Sequence, residues 1–364
     1  MAQFKFNTVS RVEISESPGG NQMLAAIDYD GDRNLFITGV PGSGKTTVSL
    51  MRAEGLAGLG KNVLLITYQD LLVTSLKNSA SRVMAKSIGT FYKWFYDITR
   101  KLVSELTAEE LIEALKGLKK FDEIMIDEGQ DFEMKVIKCL LTIGVKVTAS
   151  ADNAQRVHQR GVTVEQIQAE MTKIGAVQPI ALQYNYRNTY GIYNFARFFL
   201  PYNQRANNQL AMERIPKGRG EAPSIFLVQS EDDREAQLKI LLANAGDRNV
   251  AVLVFSPAEV EHYHKLIGRI GFSCSKHHSK DHLRGKIENI LVTTLTSAKG
   301  VEFQAVILPN LETALERYGQ TGEHYYVGCT RPKESLYLIA LKKLPGCFRN
   351  FEKDSYKLIN YGQK

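Results

Sequence analysis

Short apolar runs alternate with longer amphipathic stretches along almost the whole chain. The runs at 34–38, 62–67, 122–126 and 145–149 read as strands, and so do those at 179–182, 224–229, 250–255, 289–294, 304–309 and 335–341. Most place Val, Ile, Leu and Phe on successive positions, as strands do when both faces of a parallel sheet are covered. Helical periodicity fills the intervals, for example at 45–59, 107–118, 232–245 and 257–270. Strands and helices in alternation predict an α/β fold with parallel sheets. The pattern runs twice, and Gly175 followed by Pro179 marks the break before a fresh strand. The expected organisation is a first domain over 1–178, a second over 179–346 and a tail over 347–364 without a strong pattern.

A length of 364 residues accommodates two such domains. The hydrophobic share of 44% excludes a chain too polar to form a core. No uninterrupted apolar run approaches the roughly 20 residues that span a bilayer, so no membrane partner is expected. The N-terminal segment lacks a signal-peptide core, and a cytoplasmic protein is the expectation. Cys139, Cys274, Cys329 and Cys347 are scattered, with no CxxC, which fits a reducing compartment. The net charge of +7 hints at a polyanionic partner and is silent on fold.

Candidate chemistry begins at Gly39-Val40-Pro41-Gly42-Ser43-Gly44-Lys45-Thr46, which matches GxxxxGK[ST] at every fixed position. It follows the apolar run Leu35-Phe36-Ile37 and opens a helical stretch, the context this motif requires. Glycines there let backbone N–H groups converge on phosphates, and the helix N-terminus adds its positive end. Gly42, Ser43, Gly44, Lys45, Thr46 and Thr47 are the expected phosphate contacts, with Lys45 on the β- and γ-phosphates. The Thr46 hydroxyl is placed to ligate Mg²⁺. A second element is Asp127-Glu128, at the C-terminal end of the apolar run Ile124-Met125-Ile126. Ligands of parallel sheets bind at that end of the strands. Asp127 is the candidate second Mg²⁺ residue, and Glu128 the candidate acceptor of a proton from attacking water. These two motifs alone leave a kinase or a GTPase open.

The residues that follow narrow the choice. Ile126-Asp127-Glu128-Gly129-Gln130-Asp131-Phe132 resembles the DExQD box of superfamily 1 helicases of the UvrD/Rep type. Other segments resemble further boxes of that family, in order. Asn21-Gln22 resembles the adenine-reading Q motif. Leu64-Leu65-Ile66-Thr67-Tyr68 and Gly89-Thr90-Phe91-Tyr92 resemble segments on the nucleic-acid side. The run from Ala151-Asp152 through Gln155 to His158 resembles the GDxxQ box, and Asn185-Tyr186-Arg187-Asn188 resembles NYRS. Thr296 to Phe303 resembles the KGLEF box, and Tyr326 to Arg331 resembles YVAxTRA.

The resemblance implies two tandem RecA-like domains with ATP in the cleft between them. It implies that Gln155 senses the γ-phosphate and that Arg187 and Arg331 reach it from the second domain. Extra guanidinium groups suit phosphoryl transfer because they pair the charge that spreads over the transferred group. Gln22 and Tyr186 are implied at the adenine, Gly300 and Glu302 at the ribose or phosphates. Thr67, Tyr68, Thr90, Phe91, His158 and Thr296 are implied on the nucleic-acid side. The implied activity is ATP-dependent translocation or unwinding on single-stranded DNA, 3′ to 5′, with ATP and Mg²⁺ as cofactors.

Several features depart from the family. The segments at 95–121 and 272–290 are too short for the helical subdomains that larger members insert there. That implies a pared-down motor whose missing surface a partner protein could supply. The GDxxQ-like box has Ala151 for Gly, and His158 is the only ring where the family has aromatic residues. His277, His278 and His282 lie near Cys274, but irregular spacing and a single Cys argue against zinc. Lys276, Lys280, Arg284 and Lys286 make that stretch a basic loop. Two other readings stay open: an RNA-directed motor, and a nucleotide-gated subunit acting with a nuclease or another partner.

Overall fold

The structure is a computed structural model and describes residues 8–156, 158, 160–201, 205, 212–278, 287–312 and 322–361. Among these residues the strands form two sheets of six and seven strands, and every pairing is parallel. The chain divides into two compact units, one ending at Tyr184 and the other beginning at Asn185.

The first sheet contains β1 (Asn34–Gly39), β2 (Val63–Thr67), β3 (Ile88–Thr90), β4 (Phe121–Ile126), β5 (Gly144–Ala151) and β6 (Val177–Leu182). Their spatial order is β3-β2-β4-β5-β1-β6. β5 therefore lies between the phosphate-loop strand β1 and the carboxylate strand β4. Its register sets Ser150 opposite Ile37 on one side and Ala149 opposite Ile126 on the other. Three loops thus leave the sheet side by side at its C-terminal edge, where parallel sheets bind ligands. Leu64, Ile66, Ile124, Ile126 and Val147 pack with Phe91, Phe95, Val136 and Leu140 from the covering helices into one core.

The second sheet contains β7 (Ser224–Val228), β8 (Val250–Val254), β9 (Ser275–His277), β10 (Ile290–Thr294), β11 (Phe303–Leu308), β12 (Pro332–Leu341) and β13 (Lys357–Asn360). Its order is β13-β7-β12-β11-β8-β10-β9. Val252, Val254, Val292 and Ile307 meet Leu238, Leu242, Val260 and Ile267 in the core of this unit.

Two boundaries differ from the sequence reading. The run at 179–182, expected to open the second domain, belongs to β6 and pairs with β1, Pro179 opposite Phe36. β6 is an edge strand, where a proline without an N–H is tolerated. The tail is no loose end. After two 3₁₀ turns, Gly346–Asn350 and Lys353–Ser355, it adds β13 alongside β7. Phe348 and Phe351 anchor it, buried with ring centroids 4.6 Å apart.

Between β3 and β4 lie the helices Phe91–Thr99 and Ala108–Ala114 with one 3₁₀ turn at Val103–Glu105. Lys276, expected in a basic loop, lies instead in β9 with its Nζ 2.6 Å from Glu261 Oε1, while Lys280, His282, Arg284 and Lys286 fall outside the described residues. Among the described residues no helix is long and apolar enough to cross a membrane.

Candidate nucleotide site and nucleic-acid face

The phosphate loop connects β1 to the helix Lys45–Gly58. Gly42 and Gly44 take φ of +75° and +92°, a left-handed backbone that favours glycine. A Cβ on Gly44 would also lie 2.6 Å from Met23 Cε, on the helix Gly20–Ile27. Lys45 is buried, and its Nζ donates to the Gly39 and Val40 carbonyls at 2.7 and 3.1 Å. The ammonium is thus folded back over the loop. Thr46 and Thr47 follow on the first turn of the helix, both half-buried. Two buried oxygens, Ser43 Oγ and Gln22 Oε1, have no hydrogen-bond partner among the described residues. Buried polar groups are nearly always paired, so both suit contacts to a ligand.

Asp127 and Glu128 leave the end of β4. The Thr46 hydroxyl donates to Asp127 Oδ2 at 2.8 Å, and the Ser150 hydroxyl to Oδ1 at 2.6 Å. Ser150 was not singled out by the sequence. Its only signal is its place at the end of the strand that turns out to lie between β1 and β4. Glu128 has φ +54°, rare for a residue with a side chain, and such strain tends to be kept at functional sites. Gln130 Nε2 donates to Glu128 Oε2 at 2.5 Å, and Gln130 Oε1 accepts from the Asp152 N–H at 3.0 Å. Asp152 Oδ2 in turn accepts from Gln155 Nε2 at 2.8 Å. A hydrogen-bonded path therefore runs from Glu128 through Gln130 and Asp152 to Gln155. Gln130 carried no role in the sequence reading beyond its place in the box.

Asp127 is wholly buried. Burial first, and the neighbouring Glu128 second, push its carboxyl up to about 6, against hydrogen bonds from Ser150 and Thr46 and the charge of Lys45. The donor set fits Mg²⁺: a hydroxyl and a carboxylate are hard oxygen ligands, and a cation relieves two crowded carboxylates. A carboxyl raised in the folded state stabilises the fold while protonated, and that contribution is lost as pH rises through the folded value. The metal-free protein is therefore expected to lose stability between the ordinary carboxylate range and about pH 6. Asp127→Asn removes this titration. Melting curves across pH are expected to show the variant gaining on the wild type from the ordinary carboxylate range up to about pH 6 and holding that gain above it, with Mg²⁺ narrowing the gap. A difference independent of pH would contradict the assignment.

Those residues expected at nucleic acid that belong to the first unit lie at the same edge of this sheet, over different strands. Thr67 ends β2, buried, with Oγ1 unpartnered among the described residues. Tyr68 follows, half-buried, its ring centroid 4.3 Å from that of His158. Thr90 caps the helix Phe91–Thr99 by accepting from the Lys93 N–H at 3.4 Å. Phe91 departs from expectation. It is fully buried against Phe95, 5.6 Å between centroids, and offers no face to a base. Its register one helical turn from Phe95 directs it to the core.

In the second unit, Asn185 Oδ1 accepts from the N–H groups of Arg187 and Asn188 at 3.0 and 3.1 Å, shaping the turn that presents Arg187. Arg187 Nε donates to Glu302 Oε2 at 3.1 Å, and Lys333 Nζ lies 2.5 Å from Glu302 Oε1. Burial alone pushes the Glu302 carboxyl up, but Arg187 and Lys333 outweigh it and hold the group below its ordinary value. Glu302, expected at the nucleotide, is thus bridged by two cations, of which Lys333 lay in no box. Arg331 is wholly buried; its Nε donates to the Val327 carbonyl at 2.8 Å and its Nη2 to Thr330 Oγ1 at 3.2 Å. Glu302 and Arg331 immediately precede β11 and β12, at the N-terminal edge of their sheet. Tyr186 is half-buried, and Gly300 has φ +82°. Thr296, half-buried, lies beyond the C-terminal end of β10, at the opposite edge.

No family model matches the chain, and no curated protein matches it. Among solved structures it is similar to the C-terminal domain of a possible DNA helicase from Lactobacillus plantarum WCFS1, with 22% identity and a TM-score of 0.38 over 48% of this chain and 98% of that one. It is also similar to the arterivirus nonstructural protein 10 helicase, with 16% identity and a TM-score of 0.44 over 88% of this chain and 62% of that one.

Proposed function

We propose that this chain is an ATP-driven motor on single-stranded nucleic acid, a DNA translocase or helicase of the UvrD/Rep kind moving 3′ to 5′. The observation that carries the reading is the hydrogen-bonded path Glu128–Gln130–Asp152–Gln155 beside the phosphate loop. It ties the group that would take a proton from water to the group that would sense the γ-phosphate.

In this reading, as the resemblance implies, ATP would take contacts from both domains, with adenine at Gln22 and Tyr186. The backbone of 42–47 holds the phosphates, and the Lys45 ammonium swings from the Gly39 and Val40 carbonyls onto them. Thr46 and Asp127 would hold Mg²⁺, which when bound neutralises charge on the phosphates. Glu128 orients the attacking water and accepts its proton. Arg187 exchanges Glu302 for phosphate oxygens, and Lys333 keeps Glu302 neutralised meanwhile. Arg331 adds a second guanidinium to the transferring group. Gln155 reports the presence of the γ-phosphate to the face formed by Tyr68 and His158. Closure on ATP and opening after hydrolysis then advance Thr67, Tyr68, Thr90, His158 and Thr296 along a strand. A partner protein such as a nuclease would supply duplex contacts the short 95–121 segment lacks.

Displacement of streptavidin from end-biotinylated single strands tests this directly. The expected result is ATP-dependent release from the 5′ end only, on DNA. Release from RNA alone would favour the RNA-directed motor, and release from neither end would favour the nucleotide-gated subunit.

A further inference from the structure

The helix Phe91–Thr99 has two contrasting faces. Phe91 and Phe95 are buried in the core of the first unit. Tyr92, Tyr96 and Arg100 repeat every fourth residue and so line another face. The Tyr92 ring meets Tyr68 edge-on at 5.8 Å, and Tyr68 meets His158 at 4.3 Å. Tyr96 is 44% exposed, and the Arg100 guanidinium lies 5.9 Å over its ring. The result is a row of rings from the end of β2 out along the helix, ending on a cation.

Cations flank the row. Lys93, Arg100, Lys101 and Arg160 are all exposed. Two carboxylates oppose them. Asp97 lies 3.5 Å from Lys93 and 3.9 Å from Arg100, and Glu133 lies 4.0 Å from Arg160. Such long, solvated pairs contribute little and yield readily to a phosphate. Rings interleaved with solvated cations are the chemistry of a single-strand track: bases stack on the rings and phosphates meet the charges.

We infer that single-stranded nucleic acid runs along this face, with a base stacked on Tyr96 and phosphates on Arg100, Lys93 and Lys101. The inference rests on the motor reading and adds residues that lie outside the sequence boxes. It also supplies the aromatic grip that the segment after Gln155, with His158 as its only ring, lacks.

Binding of the full chain to fluorescent oligothymidylate and oligouridylate, and to a strand carrying 2-aminopurine, tests it. Tyr96→Ala is expected to weaken binding about 5- to 150-fold and to abolish the 2-aminopurine quenching, while Tyr96→Phe keeps both. Arg100→Ala is expected to lower the slope of log K against log salt by about 0.7. Both positions are exposed, and unchanged melting temperatures would exclude a folding defect. Wild-type binding in Tyr96→Ala would overturn the track and leave the motor reading intact. It would assign the face, with exposed Ile98 and Leu102 beside it, to a protein partner. Failure of the wild-type chain to bind either strand would overturn the track and the motor reading together.

Discussion

Glu128→Gln is expected to lower ATP turnover by about 10²–10⁴-fold while nucleotide binding persists. The substitution keeps size and leaves an oxygen for the Gln130 amide, but an amide cannot accept the water's proton. Lys45→Ala is the companion variant and acts differently. It removes the cation expected on the β- and γ-phosphates, so turnover is abolished and binding weakens too. The cost to the fold is expected to be about 1–3 kcal/mol, because the buried Lys45 Nζ donates to the Gly39 and Val40 carbonyls. Steady-state hydrolysis, nucleotide titration and circular dichroism on both variants separate these effects. Wild-type turnover in a folded Lys45→Ala protein would sink the site assignment.

The largest expected loss of stability is at Arg52, on the helix that follows the phosphate loop. Its Nε and Nη2 donate to Glu123 Oε1 and Oε2 at 2.6 and 2.9 Å, a two-pronged pair with both side chains under 5% exposed. Its Nη1 donates to the Tyr29 and Ile27 carbonyls at 2.6 and 3.2 Å. Thr148 donates to Glu123 from the next strand. The pair thus ties the phosphate-loop helix to β4 and to the turn after the helix that carries Gln22. Removing one partner of a buried pair strands the other charge, and Arg52→Ala is expected to cost about 3–5 kcal/mol. Combining Arg52→Met with Glu123→Leu is expected to recover most of that, since no charge is then left unpaired. Urea titration of the first unit's transition checks both. A loss below about 1 kcal/mol in Arg52→Ala would show that water or a neighbour rescues Glu123.

Much of the fold was legible because buried parallel strands are written as uninterrupted apolar runs. Every strand expected from the sequence is present. The strands that were missed, β3, β9 and β13, all lie at sheet edges. Ile88-Gly89-Thr90 and Ser275-Lys276-His277 are short and polar, and Lys357–Asn360 has all its residues exposed. An edge strand faces solvent on one side and needs no apolar run to hold its place. Pro179 misled for a related reason: it reads as a break, yet an edge strand absorbs it.

The candidate site was legible where one motif carries its own backbone geometry, as at Gly42 to Thr46. It was obscure where the fold joins distant residues. Ser150 on Asp127, Lys333 on Glu302 and Arg52 on Glu123 are separated from their partners by 23, 31 and 71 positions. No local pattern announces them, because each depends on which strand became the neighbour. Phe91 shows the converse, since its box suggested a surface role while its helical register set it in the core.

The most direct test of the motor reading is steady-state ATP hydrolysis with and without single-stranded DNA, single-stranded RNA or duplex. The account predicts strong stimulation by single-stranded DNA that is lost in Lys45→Ala and Glu128→Gln. Slow hydrolysis indifferent to every nucleic acid would contradict it.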